Sequence, residues 1–204
     1  MNRMIKDTII LTLITVIAGF VLGAVYDITK EPIAVQKEKT KQEAYLKVFP
    51  GAASFEEDAS LNVSDAAAIL SEAGLSEESI DEALVAKGTD GSVLGYVLSV
   101  TTKEGYGGDI TFSMGVTTDG TLNGIEVLSI SETAGLGMKA ATDEFKNQFA
   151  NKKVAQFAYT KTGSTSDFEI DAISGATITT NAMVNGVNAG LAYCEAVNGG
   201  GTNE

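Results

Sequence analysis

The chain has 204 residues, enough for one domain with appendages, and a formal net charge of −13. Arg3 is its only arginine, which excludes a basic face for nucleic acid, and the lack of histidine excludes His-based metal sites and His general bases. The single Cys194 excludes an internal disulfide and reads as a small packed residue.

From Ile9 to Tyr26 the sequence is apolar or weakly polar, with no charge between Asp7 and Asp27. A run of roughly 18–20 such residues just spans a hydrocarbon core. No small-x-small cleavage site precedes Tyr26, so residues 1–26 read as a cytoplasmic tip and a retained anchor rather than a signal peptide. Arg3 and Lys6 favour a cytoplasmic N-terminus, but Lys30, Lys37, Lys39 and Lys41 on the other flank oppose it. Gly19 and Gly23 form a small-xxx-small pair that permits close helix contact in lipid, or are incidental.

Residues 27–50 are charged, mixed in sign and compatible with a stalk helix except at Pro32, with a stop at Pro50-Gly51. A chain lacking residues 1–26 carries a formal −14 and is expected to be soluble. From Glu56 to Asp90 the sequence is acidic, with Lys87 its only basic residue. It reads as a solvated lobe, with Ser64 and Ser76 as N-caps of short helices. A β-rich core follows. Ser92–Thr102 has strand-like alternation, and Asp109–Thr117 and Leu122–Ser129 flank an Asp119-Gly120 hairpin turn. A helix from about Ala140 to Ala150 carries Phe145 and Phe149 on one face. Strands are expected at 154–159 and 168–173, and a frayed Gly-rich tail from Asn198. Antiparallel strands with helices at the edges give an α+β fold over residues 51–198, with 199–204 as a flexible tail.

The last strand leads into Asp171-Ala-Ile-Ser-Gly-Ala-Thr-Ile-Thr-Thr180. This reads as a strand end, a turn of small residues and a helix start. Thr179, Thr180 and Asn181 are good N-cap types, and Met183, Val184, Val187 and Leu191 recur at helical spacing. Ser174, Gly175 and Ala176 let another molecule approach the backbone, and the first helical turn offers unpaired N–H groups and a positive dipole end suited to a phosphate. The nearest lysine in sequence is Lys161, so backbone would do most of the holding. On residues alone, a plain strand-to-helix corner is the competing reading.

Asp-x-x-Ser-Gly-Ala-Thr-x-Thr resembles the flavinylation motif of the FMN-binding domain family. That family includes the G subunit of Rnf-type electron transport complexes and the C subunit of the Na+-translocating NADH:quinone reductase. Two further stretches agree: Ser131-Glu-Thr-Ala-Gly-Leu-Gly137 is similar to the family's flavin loop, with Ala134 in place of the usual Pro, and Gly105-Tyr-Gly-Gly108 to its Gly-Tyr-x-Gly segment. The resemblance implies FMN joined to Thr177 by a phosphoester, attached by a separate flavin transferase with FAD as donor. With no histidine in the chain to activate the hydroxyl, self-attachment is disfavoured. Leu136 is expected to wall the ring, the Thr133–Gly137 backbone (including Gly135) to donate to it, and Glu132 to accept from it or to cap its own loop. Tyr106 lies near the ring edge or is a plain hairpin aromatic.

The resemblance further implies an anchored electron-transfer subunit of an Rnf-type ion-translocating ferredoxin:NAD oxidoreductase, not a complete enzyme. Its partners would be the membrane and the other membrane subunits of the complex, and its flavin domain would face the extracytoplasmic side of the cell membrane. The alternatives are the quinone reductase C subunit, a stand-alone extracellular flavoprotein, and a non-redox membrane-anchored binding module.

Overall fold

The structure, a computed structural model, describes residues 3–200 and divides into two compact units, with the boundary between Thr40 and Lys41. Helix α1 (Arg3–Val48) runs for 46 residues. Its 18-residue apolar stretch, of mean hydropathy 2.5 and unburied within the chain, is long and apolar enough to cross a membrane. The hydroxyls of Thr8, Thr12 and Thr15 donate to carbonyls one turn back at 2.8–3.0 Å, so these polar groups are satisfied inside the helix. Gly19 and Gly23 have nothing within 4 Å of where a Cβ would lie. The interruption expected at Pro32 does not occur. The helix continues through it, forgoing the one hydrogen bond a proline nitrogen cannot make.

The end of α1 corrects the expected stalk of residues 27–50. Tyr45, Val48 and Phe49 are buried, and with Leu84, Ala86 and Val97 they form a small core of their own. Tyr45 packs edge-on against Phe55 at 5.5 Å, and its hydroxyl donates to the Glu82 carboxylate. The second unit therefore starts inside the helix, at Lys41.

After α1 come a short strand β1 (Ser54–Glu56), a single 3-10 turn (Val63–Asp65) and helix α2 (Ala66–Glu72). Asn62, not Ser64, caps the turn, its side chain accepting from the Ser64 amide at 3.2 Å. No helix follows Ser76. Instead β2 (Glu78–Lys87) begins there, so the supposed acidic lobe contributes a central strand. Its Ile80, Ala83, Val85 and Ala86 are buried, and a register shift between Ile80 and Glu82 breaks the alternation that would have marked it. β3 (Val93–Thr102), β4 (Ile110–Thr117) and β5 (Leu122–Ser129) follow as expected. The five strands form an antiparallel meander in the order β1-β2-β3-β4-β5.

The expected helix over 140–150 is broken into a 3-10 turn (Gly137–Ala141), one helical turn, α3 (Asp143–Lys146), and another 3-10 turn (Asn147–Phe149). Thr142 is extended and acts as a new N-terminus, its carbonyl accepting from the Phe145 and Lys146 amides. Phe145 and Phe149 nevertheless share one buried face, with ring centroids 5.7 Å apart. β6 (Ala158–Thr160) and β7 (Glu169–Asp171) are shorter than expected and pair in parallel, so the fold is not wholly antiparallel. Helix α4 (Thr177–Gly200) closes the described chain. Asn198–Gly200 continue this helix rather than a tail, and the rest of the expected tail lies outside the described residues.

One face of the sheet packs on α4 and α2 in the main core; the end of α1 covers part of the other. Gly186 and Gly190 let α4 lie close on the sheet. A Cβ would stand 2.8 Å from the Phe112 ring at the first and 2.1 Å from the Met114 sulfur at the second. Met183, Val184, Val187 and Leu191 are buried as their spacing predicts. Cys194 is 4% exposed and burial pushes its thiol up to about 12, which makes it an inert packed residue.

Candidate functional site

The first residue of α4 is Thr177, so Thr179 and Thr180 lie inside the first turn rather than capping it. Thr180 is fully buried, and its hydroxyl links the turn to the helix: it accepts from the Ile173 amide and donates to the Ala176 carbonyl, both at 3.0 Å. The Thr180 amide, donating to Ala176 at 3.0 Å, makes a hydrogen bond of the first turn, while the amides of Thr177, Ile178 and Thr179 precede it in the helix. Gly175 adopts φ +78°, a conformation side chains disfavour, and so turns the chain sharply from β7 into α4. Thr177 is half-buried at the resulting corner.

Opposite stands the 131–137 loop. Thr133 accepts from the Leu136 and Met138 amides at 3.1 and 3.2 Å, which closes the loop on itself. The Leu136 amide is thus engaged inside the loop, contrary to its expected role as a donor to a ligand. A Cβ on Gly137 would lie 2.6 Å from Glu132 Oε2 and 2.7 Å from Thr179 Oγ1, so the loop and helix meet where only glycine fits. A Cβ on Gly175 would lie 3.1 Å from Leu136 Cδ2, which places Leu136 over the turn. Glu132, 8% exposed, accepts from the Gly107 amide at 3.2 Å. It thus fastens the 105–108 loop to the 131–137 loop.

Together these segments line a cleft of about 520 Å³: Glu132, Thr133, Leu136 and Gly137 on one side, Gly175–Thr179 on the other, with Tyr106 at the rim. Most of the residues singled out from sequence meet here. Gly135 shapes the loop from outside the cleft, and Ser174 borders a separate hollow with Lys139 and Thr142. Ile178 was not anticipated. It is 54% exposed and lies off the apolar face of α4, and an isoleucine out of phase with its helix was the available signal. With Tyr106 and Leu136, also exposed, it gives the cleft three apolar edges.

A flat ring joined through a flexible chain to a phosphate, as in FMN, fits these residues. The volume is within the roughly 300–1,000 Å³ of small-ligand pockets. The helix start is suited to an anionic group, and the exposed apolar edges suit a flat ring.

At the start of β2, Glu78 is 7% exposed, and its Oε1 accepts from Thr102 Oγ1 at 3.3 Å. Its carboxyl is pushed up to about 7, first by desolvation and then by the neighbouring Glu104 carboxylate. A proton held more tightly when folded stabilises fully below the unfolded value, about 4.5, and that contribution is lost as pH rises through about 7. Glu78→Gln is therefore expected to flatten the fall in thermal midpoint across this window. Parallel pH profiles of variant and wild type would remove Glu78 as the source.

The FMN-binding domain family matches residues 105–192, which include both walls of the cleft, and the RnfG N-terminal region matches residues 1–48. The chain is 33% identical over 191 residues to the G subunit of the Na(+)-translocating ferredoxin:NAD(+) oxidoreductase complex of Acetobacterium woodii, covering 91% of this chain and 89% of that one. It is 31% identical to the G subunit of the ion-translocating oxidoreductase complex of Methanosarcina acetivorans, covering 95% and 96%. It is 32% identical to the G subunit of the proton-translocating ferredoxin:NAD(+) oxidoreductase complex of Clostridium ljungdahlii, covering 98% and 96%.

Proposed function

Because the chain belongs to the G-subunit family of ion-translocating oxidoreductase complexes, we propose that it is the FMN-bearing electron-transfer subunit of such a complex, with Thr177 as the attachment residue. FMN supplies the redox chemistry when bound. The residues of the chain hold and orient it. The start of α4 would hold the phosphate, with Thr177 Oγ1 as the hydroxyl oxygen that would bond to phosphorus. A flavin transferase with FAD as donor would join Thr177 Oγ1 to the FMN phosphorus as the pyrophosphate bond breaks, AMP would leave, and the hydroxyl proton would pass to a base of the transferase. Leu136, Ile178 and Tyr106 would flank the ring, and the 131–137 loop would cover one side of it.

The observation that carries this reading is the placement of Thr177. It is the half-buried first residue of a 24-residue helix, at the edge of a cleft and next to a turn of small residues. The α1 anchor keeps the domain at the membrane beside the other subunits, with the flavin domain on the extracytoplasmic side. Peptide mass mapping of the protein made together with a flavin transferase tests the proposal. The mass of FMN less one water is expected on the peptide that contains Thr177. Its absence, or its presence on another residue, would end the proposal.

Leu136→Ala is expected to leave attachment intact while altering flavin fluorescence and midpoint potential. Leu136 is 42% exposed, so the packing loss falls below the roughly 2–5 kcal/mol of a fully buried leucine. Unchanged spectra and midpoint would place the ring elsewhere.

A further inference from the structure

Resting on the flavin reading above, we infer that Glu104 is a positioning residue of the cleft, tying the 105–108 loop to the helix face that carries Thr177. Glu104 sits between β3 and β4, outside the sheet ladder. Its Oε2 accepts from Asn185 Nδ2 at 2.6 Å and from Asn181 Nδ2 at 3.5 Å. Thr177, Asn181 and Asn185 are spaced four apart, so they stand above one another on one side of α4. The carboxylate therefore grips the helix just below the attachment residue.

The next residues of the chain carry the grip to the cleft. A Cβ on Gly105 would lie 2.1 Å from the Gly108 carbonyl oxygen, and one on Gly107 would lie 2.2 Å from the Ser131 carbonyl oxygen. A loop with so little slack moves as a unit, and Tyr106 is at its tip. It is held at three points: Glu104 grips α4, the Glu104 amide donates to Thr102 Oγ1 at 3.3 Å, and the Gly107 amide donates to Glu132. A carboxylate suits the first of these because it accepts from two amide groups and has no donor of its own to place. Glu104 thus fixes how far the Tyr106 edge stands from Thr177.

The test uses the full chain in detergent. Amide hydrogen exchange is read in a flavin-free Thr177→Val background, and visible circular dichroism and midpoint potential are read in the flavin-loaded protein. Glu104→Ala and, independently, Asn185→Ala are expected to speed exchange at 105–108 about tenfold or more, the scale of losing a charge-assisted hydrogen bond. Exchange in β3 and β4 stays at the wild-type rate. Both variants are expected to change the flavin dichroism and midpoint, and Glu104→Gln, which keeps an acceptor, to restore slow loop exchange. Should Glu104→Ala fail to fold, Asn185→Ala carries the test. Unchanged loop exchange, uniform acceleration across the sheet, or a loosened loop with unaltered flavin dichroism would each overturn the assignment. Wild-type protein without attached flavin would sink the flavin reading and the cleft role with it, and the exchange measurement would still decide whether Glu104 straps the loop.

Discussion

A chain that begins at Gly51 is expected to be unfolded, whereas one that begins at Asp27 unfolds in a single cooperative transition. The shorter chain lacks Tyr45, Val48 and Phe49, which are 0%, 3% and 5% exposed. These residues cover Leu84, Ala86 and Val97 on the face of the sheet opposite α4. Removing a buried large aromatic costs about 3–5 kcal/mol. Two such losses, with a valine, approach the roughly 5–15 kcal/mol that holds a domain together. The contact is close: a Cβ on Gly115 would lie 2.7 Å from the Val48 carbonyl oxygen. In the full-length protein, Tyr45→Ala alone is expected to lower stability by about 3–5 kcal/mol. Urea unfolding followed by circular dichroism measures both effects. Coincident curves for chains starting at Gly51 and Asp27 would show that the helix end is not part of the core.

That boundary was hidden in the sequence for a physical reason. The sequence from Lys37 to Lys47 is dominated by charged side chains, and the short apolar run from Ala44 to Phe49, interrupted by Lys47, does not show which of its side chains face a sheet. Which side of a helix meets a sheet is fixed by the sheet, and β2, which supplies Leu84 and Ala86, was itself obscured. Its Glu78, Asp81 and Glu82 resemble the acidic run before them, and the register shift after Ile80 disturbs the two-residue period. By contrast β3, β4 and β5 were legible because β-branched and aromatic residues alternate there and Asp119-Gly120 marks the hairpin. Gly120 takes φ +86° in that turn. The three-residue strands β6 and β7 are too short for sequence to show their direction.

At the site, the residue types of the turn and the loop were legible, but their partnerships were not. Thr177, Leu136, Gly137 and Glu132 all line the cleft. The Glu132–Gly107 bond joins residues 25 apart and the Glu104–Asn185 bond residues 81 apart, and no local spacing encodes either. The helix start was misplaced because Thr179, Thr180 and Asn181 all have cap chemistry, while the Gly175 turn lets the helix begin at Thr177, ahead of all three. The misplacement matters to the chemistry, since it puts Thr179 and Thr180 at 1% and 0% exposure and leaves Thr177 accessible.

Thr177→Val is expected to abolish covalent flavin while leaving the fold intact. Valine keeps the β-branched shape but has no hydroxyl to bond to phosphorus, and at a half-buried helix start the exchange costs little packing. Thr177→Ser is expected to retain part of the modification, because the hydroxyl survives with a less restricted χ1. The neighbouring threonines separate chemistry from structure. Thr180→Val removes the acceptor of the buried Ile173 amide and is expected to cost about 1–3 kcal/mol, with flavin still attached to the folded fraction. Thr179→Val alters a buried contact beside Gly137 and is likewise expected to keep the attachment. In-gel flavin fluorescence after denaturation reports the bond, and thermal unfolding reports the fold. Fluorescence that persists in Thr177→Val, or that disappears in a fully folded Thr179→Val or Thr180→Val, would move the attachment away from Thr177.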